Sequence, residues 1–207
     1  MVSAGSEQQT ELVIPTSVKV LVAGGFGAGK TTLVGSVSEI PPLSTEELLT
    51  EAGEDVDDLK GVEGKTTTTV ALDFGRISIS AEIVLYLFGT PGQNRFWFMW
   101  DELANGAIGA IVLVDTRRLD SSFPSVDFFE RRKIPFVVAV NCFEGSHRYE
   151  PDEVRAALVL NPDVPVLMCD ARERESSKKA LVTLVEHVLS RLPEQSSDQP
   201  ELVHPGN

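Results

Sequence analysis

Four residues stand where they can grip a phosphate. Gly24, Gly29, Lys30 and Thr31 keep the spacing G-x-x-x-x-G-K-[ST], after an apolar run at 18–23 and before a helical pattern. The chemistry follows from the residue types. Glycines leave room for main-chain N–H groups to crowd round an anion. The helix that starts near Lys30 aims the positive end of its dipole at the same charge. The Lys30 ammonium can reach the outer phosphates, and the Thr31 hydroxyl can hold Mg²⁺. The pattern predicts a nucleotide-phosphate site built by Gly25, Phe26, Gly27, Ala28, Gly29, Lys30, Thr31 and Thr32.

The elements that must position this loop are read from the spacing of apolar residues. The helix after the loop runs to about Glu39, where Pro41 and Pro42 stop it. Residues 43–64 are rich in acids, with Leu43, Leu48, Leu49 and Leu59 interspersed. They read as a solvated loop or as a short amphipathic helix near 44–52. Residues 66–88 read as an antiparallel hairpin turning around 74–76, and Gly89-Thr90-Pro91-Gly92 breaks it. Helical character follows at 93–105, then a buried strand at 107–114. A helix at 121–133, a strand at 134–140 and a helix opened by Pro151 come next. The last strand is at 164–168 and the last helix at 173–192, with Ala180, Leu181, Leu184, Val185, Val188 and Leu189 at helical spacing.

This alternation predicts an α/β fold: a mostly parallel six-stranded sheet with one antiparallel edge strand and helices on both faces. Ligands of such sheets sit beyond the carboxyl ends of the strands. The loops at 24–29, 89–93, 141–144 and 170–172 should therefore meet in one pocket. One domain over 17–192 is expected, with an acidic insertion at 41–64. The polar ends at 1–16 and 193–207 are expected to be disordered and flexible, respectively.

Composition narrows the classes. The chain has 207 residues, of which 42% are hydrophobic, enough for a proper core. Its net charge of −13 argues against nucleic acid and against an electrostatic grip on anionic lipid. Cys142 and Cys169 form no CxxC or metal spacing and suit a reduced cytoplasm. No stretch reads as a signal peptide, a membrane span or a lipidation motif. A cytoplasmic location is expected, with membrane contact only through partners.

The loop segments resemble the signature segments of Ras-like small GTPases, over roughly residues 18–190. FGTPGQNRFWFMWDEL and VAVNCFEG resemble more narrowly the MglA-related, conservon-encoded (CvnD-type) ATP/GTP-binding proteins of actinobacteria. The resemblance implies GTP or GDP with Mg²⁺, slow hydrolysis assisted by partners, and a signalling role. Lys30 and Gln93 then carry the reaction, Gln93 by orienting the attacking water. Gly92 offers its N–H to the γ-phosphate. Thr31 and Thr69 hold the metal, with Thr68 the fallback for the second. Asn141, Cys142 and Glu144 stand at the base motif N-x-x-[D/E]. The Glu144 carboxylate would accept from guanine N1–H and N2–H₂; adenine lacks that amine and would leave the carboxylate unpaired. Asp170, Ala171 and Arg172 resemble the S-A-K segment, with the Ala171 N–H directed at guanine O6.

Three departures stand out. Phe26 replaces a small residue beside the γ-phosphate. Gly89 replaces the aspartate that supports Mg²⁺. Cys142 removes the lysine stem that lies over the base. Phe26 and Gly89 favour a rival reading, an assembly module that works by nucleotide occupancy with little hydrolysis. An ATP-dependent kinase or ATPase is the third reading. An arginine acting in cis stays open, with Arg95 and Arg76 as candidates. The aromatic run at 96–100 cannot face one core entirely, so part of it should form a partner surface. The partners implied by the resemblance are a roadblock-type protein and a sensor-kinase-like protein; homodimerisation stays open.

Overall fold

Valine, isoleucine and leucine runs make the central strands, because only residues apolar on both sides can fill a sheet covered on both faces. The computed structural model describes residues 14–41, 43–50, 67–92 and 98–192. Five strands run parallel: β1 (Thr16–Gly24), β4 (Ile83–Gly89), β5 (Ala107–Val114), β6 (Phe136–Asn141) and β7 (Val166–Cys169). β3 (Thr67–Ser78) pairs antiparallel with β4, and β2 (Leu43–Thr50) antiparallel with β3. The sheet order is β2-β3-β4-β1-β5-β6-β7.

The six expected strands and the mixed character of the sheet are present. β2 is an addition at the edge, where sequence suggested a loop or a helix. The edge of β3 offers a row of main-chain donors and acceptors, and an acidic strand satisfies them while discouraging further pairing. Acidic composition therefore hid a strand. The remaining insertion at 51–66 lies outside the described residues, as do 1–13 and 193–207.

The hairpin also turns later than expected. The turn lies at 79–82, closed by the Ile79 N–H donating to the Ile83 carbonyl at 2.9 Å. Gly75 sits inside β3, opposite Leu87. A Cβ on it would stand 2.7 Å from Val34 Cγ1, so this glycine serves the approach of the next helix rather than a bend.

Helices cover both faces. α1 (Lys30–Val37) and α5 (Arg174–Ser190) pack on one; α2 (Phe98–Ala104), α3 (Phe123–Arg132) and α4 (Pro151–Ala157) pack on the other. Alternate residues of β1 feed the two layers: Val20 and Val22 meet Leu33, Val34 and Leu184, while Leu21 and Ala23 join the layer of Trp100, Val126 and Phe129. In the aromatic run, Trp100 is buried against Phe128 and Phe129, and Phe98 is exposed. Phe96 and Trp97 lie outside the described residues. Among the described residues no helix is long and apolar enough to cross a membrane.

Candidate functional site

β1 ends at Gly24 and α1 starts at Lys30, leaving a short loop whose glycines take left-handed angles, φ 74° at Gly27 and 105° at Gly29. Lys30 is buried under that loop. Its ammonium donates to the carbonyls of Gly24 and Gly25, each at 2.9 Å. An ammonium has three donors, so one is left for an anion held by the loop. Burial pulls the Lys30 pKa down to about 8, and the nearby Asp73 carboxylate opposes the shift. Ala28 is buried and Phe26 is 66% exposed. Thr32 is exposed in the first turn of α1.

The Thr31 hydroxyl donates to Asp73 Oδ2 at 2.7 Å. Asp73 comes from β3, in register with Gly89 of β4. A Cβ on Gly89 would lie 2.8 Å from Asp73 Cβ and 2.9 Å from its Oδ2. Sequence reading treated Gly89 as the loss of an acceptor. The structure corrects this: a carboxylate from the neighbouring strand occupies the space. Mg²⁺ fits the donor set. Thr31 and Asp73 supply hard oxygens, and the buried Thr90 hydroxyl has no hydrogen-bond partner among the described residues. Among the described residues no three His, Cys, Asp or Glu side chains cluster; phosphates and water would complete the coordination of such an ion.

Thr69 is not brought beside this pair. Its backbone lies in β3 opposite Leu48. Four residues of strand put it roughly 13 Å from Asp73. Gly92 does reach the loop: a Cβ there would stand 2.7 Å from Lys30 Nζ and 2.9 Å from the Phe26 nitrogen. Gln93 and Arg95 lie outside the described residues. Arg76 is at the wrong end of α1, with its N–H donating to Ser38 Oγ at 3.2 Å. The eight residues of α1 separate it from the loop by about 12 Å.

On the base side, Asn141 ends β6 and is buried. Its Nδ2 donates to the Ala28 carbonyl at 2.9 Å, and its Oδ1 accepts from the Ala171 N–H at 3.1 Å. Asn141 thus ties the phosphate loop to the loop after β7. A Cβ on Gly29 would strike its Nδ2 at 2.4 Å. The Ala171 N–H, expected to face a base, is engaged here by Asn141. The Cys142 N–H donates to the Cys169 carbonyl at 2.7 Å, and Glu144 is exposed. Asp170 and Arg172 form a two-pronged pair at 2.9 and 2.7 Å, and that guanidinium holds the Asp170 carboxyl down at about 2.

Sequence reading missed one contributor, the loop after β5. Asp115 is 1% exposed and accepts from Arg117 Nε at 2.9 Å and Nη2 at 2.8 Å. These bonds hold its carboxyl below the usual range. The Arg117 guanidinium lies over the Phe143 ring, 3.7 Å from its centre. Arg118 Nη2 donates to the Phe26 carbonyl at 2.8 Å and lies 3.4 Å from Asp115 Oδ2. The signal was Asp115-Thr116-Arg117-Arg118 at the carboxyl end of a parallel strand, the edge where the other site loops emerge.

The chain is similar to known proteins in sequence and in fold. A family described as conserved hypothetical ATP binding protein matches residues 22–191. An uncharacterized protein of Methanocaldococcus jannaschii is 32% identical over 126 residues, covering 60% of this chain and 69% of that one. The fold is that of G domains. The cytosolic domain of the T. maritima FeoB iron transporter in a GDP form superposes with a TM-score of 0.61 at 16% identity, over 84% of this chain and 64% of that one. The FeoB G-domain from Methanococcus jannaschii gives a TM-score of 0.56 at 12% identity, over 84% and 98%. The chain thus spans less than two thirds of the FeoB cytosolic domain.

Proposed function

The chain belongs to that family of conserved hypothetical ATP binding proteins, and we propose that it is a guanine-nucleotide switch that hydrolyses GTP to GDP with Mg²⁺. The observation that carries this reading is the phosphate loop: Lys30 is pinned by two loop carbonyls with a donor to spare, beside a Thr31–Asp73 oxygen pair. Loop N–H groups from Gly25 to Thr32 would hold the phosphates, and Lys30 would neutralise the outer ones. Thr31 and Asp73 would hold Mg²⁺, joined by Thr69 once the start of β3 reorders. When bound, the ion neutralises phosphate charge.

In the reaction a water oxygen bonds to the γ-phosphorus while the bond to the β–γ bridging oxygen breaks, and GDP leaves. Gln93 orients that water and the Gly92 N–H steadies the transferred group. Glu144 selects guanine over adenine. The G-domain fold and the MglA-like spellings of the loops support GTP; the family's description leaves ATP as the competitor to test. The finer kinship proposed is with the MglA-related, CvnD-type proteins. Roadblock-type and sensor-kinase-like partners would then read residues 66–70 and 89–105, in the cytoplasm or at a membrane reached through them.

A second reading is favoured by one observation. Phe26 is exposed, and its backbone lies against the position of Gly92. A bulky group there suits an occupancy module that holds nucleotide and barely hydrolyses it. Single-turnover hydrolysis of GTP decides between them. The switch reading expects turnover above the rate in water, lost in Gln93→Ala. A rate equal to that in water, with and without partners, leaves only the occupancy module.

A further inference from the structure

We infer that Arg118 is a positioning residue for the phosphate loop, acting from outside it on the Phe26–Gly27 peptide. The inference rests on the nucleotide reading and adds to it a residue that neither motif nor family description names. No peptide bond among the described residues is cis. In a planar trans peptide the carbonyl and the following N–H point in opposite directions. Arg118 holds the Phe26 carbonyl at 2.8 Å. The Gly27 N–H therefore points away from the Arg118 guanidinium, free of it to donate to a phosphate. A charged donor on the carbonyl also polarises the peptide and strengthens its N–H as a donor.

The guanidinium is itself aimed. Asp115 is buried and pairs with Arg117 and Arg118, leaving one positive charge in excess on the loop's outer rim. Arg117 lies on the ring of Phe143, inside the base-side motif. One buried carboxylate thus links the base side of the pocket to the phosphate side. Arg118 has φ −144° and ψ 55°, off the helical values of its own 3₁₀ segment, Thr116–Ser122, which lets its side chain turn back to the loop.

The test compares wild type, Arg118→Ala and Arg118→Lys with GDP and Mg²⁺, by titration and by the NMR signal of the Gly27 amide. In the wild type, GDP should move the Gly27 amide proton downfield. In Arg118→Ala that shift should shrink and affinity should fall by about tenfold, the scale of a lost charge-assisted hydrogen bond. Arg118→Lys keeps one donor and should recover part of both effects. Melting temperatures without nucleotide should match across the three, which separates positioning from folding. Wild type that binds no nucleotide overturns the functional reading and this inference with it. Wild type that binds, with affinity and the Gly27 shift unchanged in Arg118→Ala, overturns this inference alone.

Discussion

Asp73 on β3 and Gly89 on β4 stand directly opposite each other, and the carboxylate of the first fills the space that a side chain on the second would need. The acid that accepts from the Thr31 hydroxyl thus comes from β3, across from the Gly89 position of β4.

That exchange makes a swap experiment. Asp73→Ala should weaken Mg²⁺-dependent GDP binding by about tenfold through loss of a charged acceptor. Gly89→Asp alone should cost stability of about 1–3 kcal/mol, since its Cβ would meet Asp73 at 2.8 Å and set two carboxylates together. Asp73→Gly combined with Gly89→Asp should regain both losses in part. Denaturant melts and GDP titrations with and without Mg²⁺ read the outcome. A double variant no better than either single one contradicts the exchange.

Lys30 carries a pH signature. Its pKa falls from 10.5 toward about 8 because burial disfavours the ammonium. Between those values the folded chain without nucleotide holds fewer protons at Lys30 than the unfolded chain. This site's contribution to stability therefore rises with pH across that window and is smallest below about 8. Nucleotide affinity should run the other way. Bound phosphate favours the charged amine, so GDP binding should weaken as pH rises through about 8 and take up a proton there. Calorimetry in buffers of different ionisation enthalpy measures that uptake. A flat affinity from pH 7 to 9.5 refutes the assignment of Lys30 to the phosphates.

Asn141 should behave as a clamp rather than only as a base ligand. Its amide satisfies the Ala28 carbonyl and the Ala171 N–H, in residues that are both buried. Asn141→Ala leaves both without that partner and should cost about 2 kcal/mol or more in urea denaturation without nucleotide. Unchanged stability with weakened nucleotide binding would assign Asn141 to the base alone.

The phosphate loop and the sheet were legible because their signals are local: four positions between Gly24 and Gly29, and apolar runs of strand length. What escaped depends on pairing between distant residues. Asp73 was visible in the strand pattern at 66–88, but only the β3/β4 register sets it against Gly89. Arg118 was visible after β5, but nothing in its neighbours reports that its guanidinium reaches Phe26. Gly75 read as a bend because a glycine in a strand has no side chain to show what it makes room for, here Val34. β2 was masked by acids that an edge strand tolerates.

Titration of the wild-type chain and Lys30→Ala with GTP, GDP and ATP, each with Mg²⁺, tests the central claim most directly. The account expects GTP and GDP to bind on the order of micromolar or tighter, ATP more weakly, and all of it to vanish in Lys30→Ala. No binding by the wild type, or micromolar affinity retained in Lys30→Ala, would contradict it.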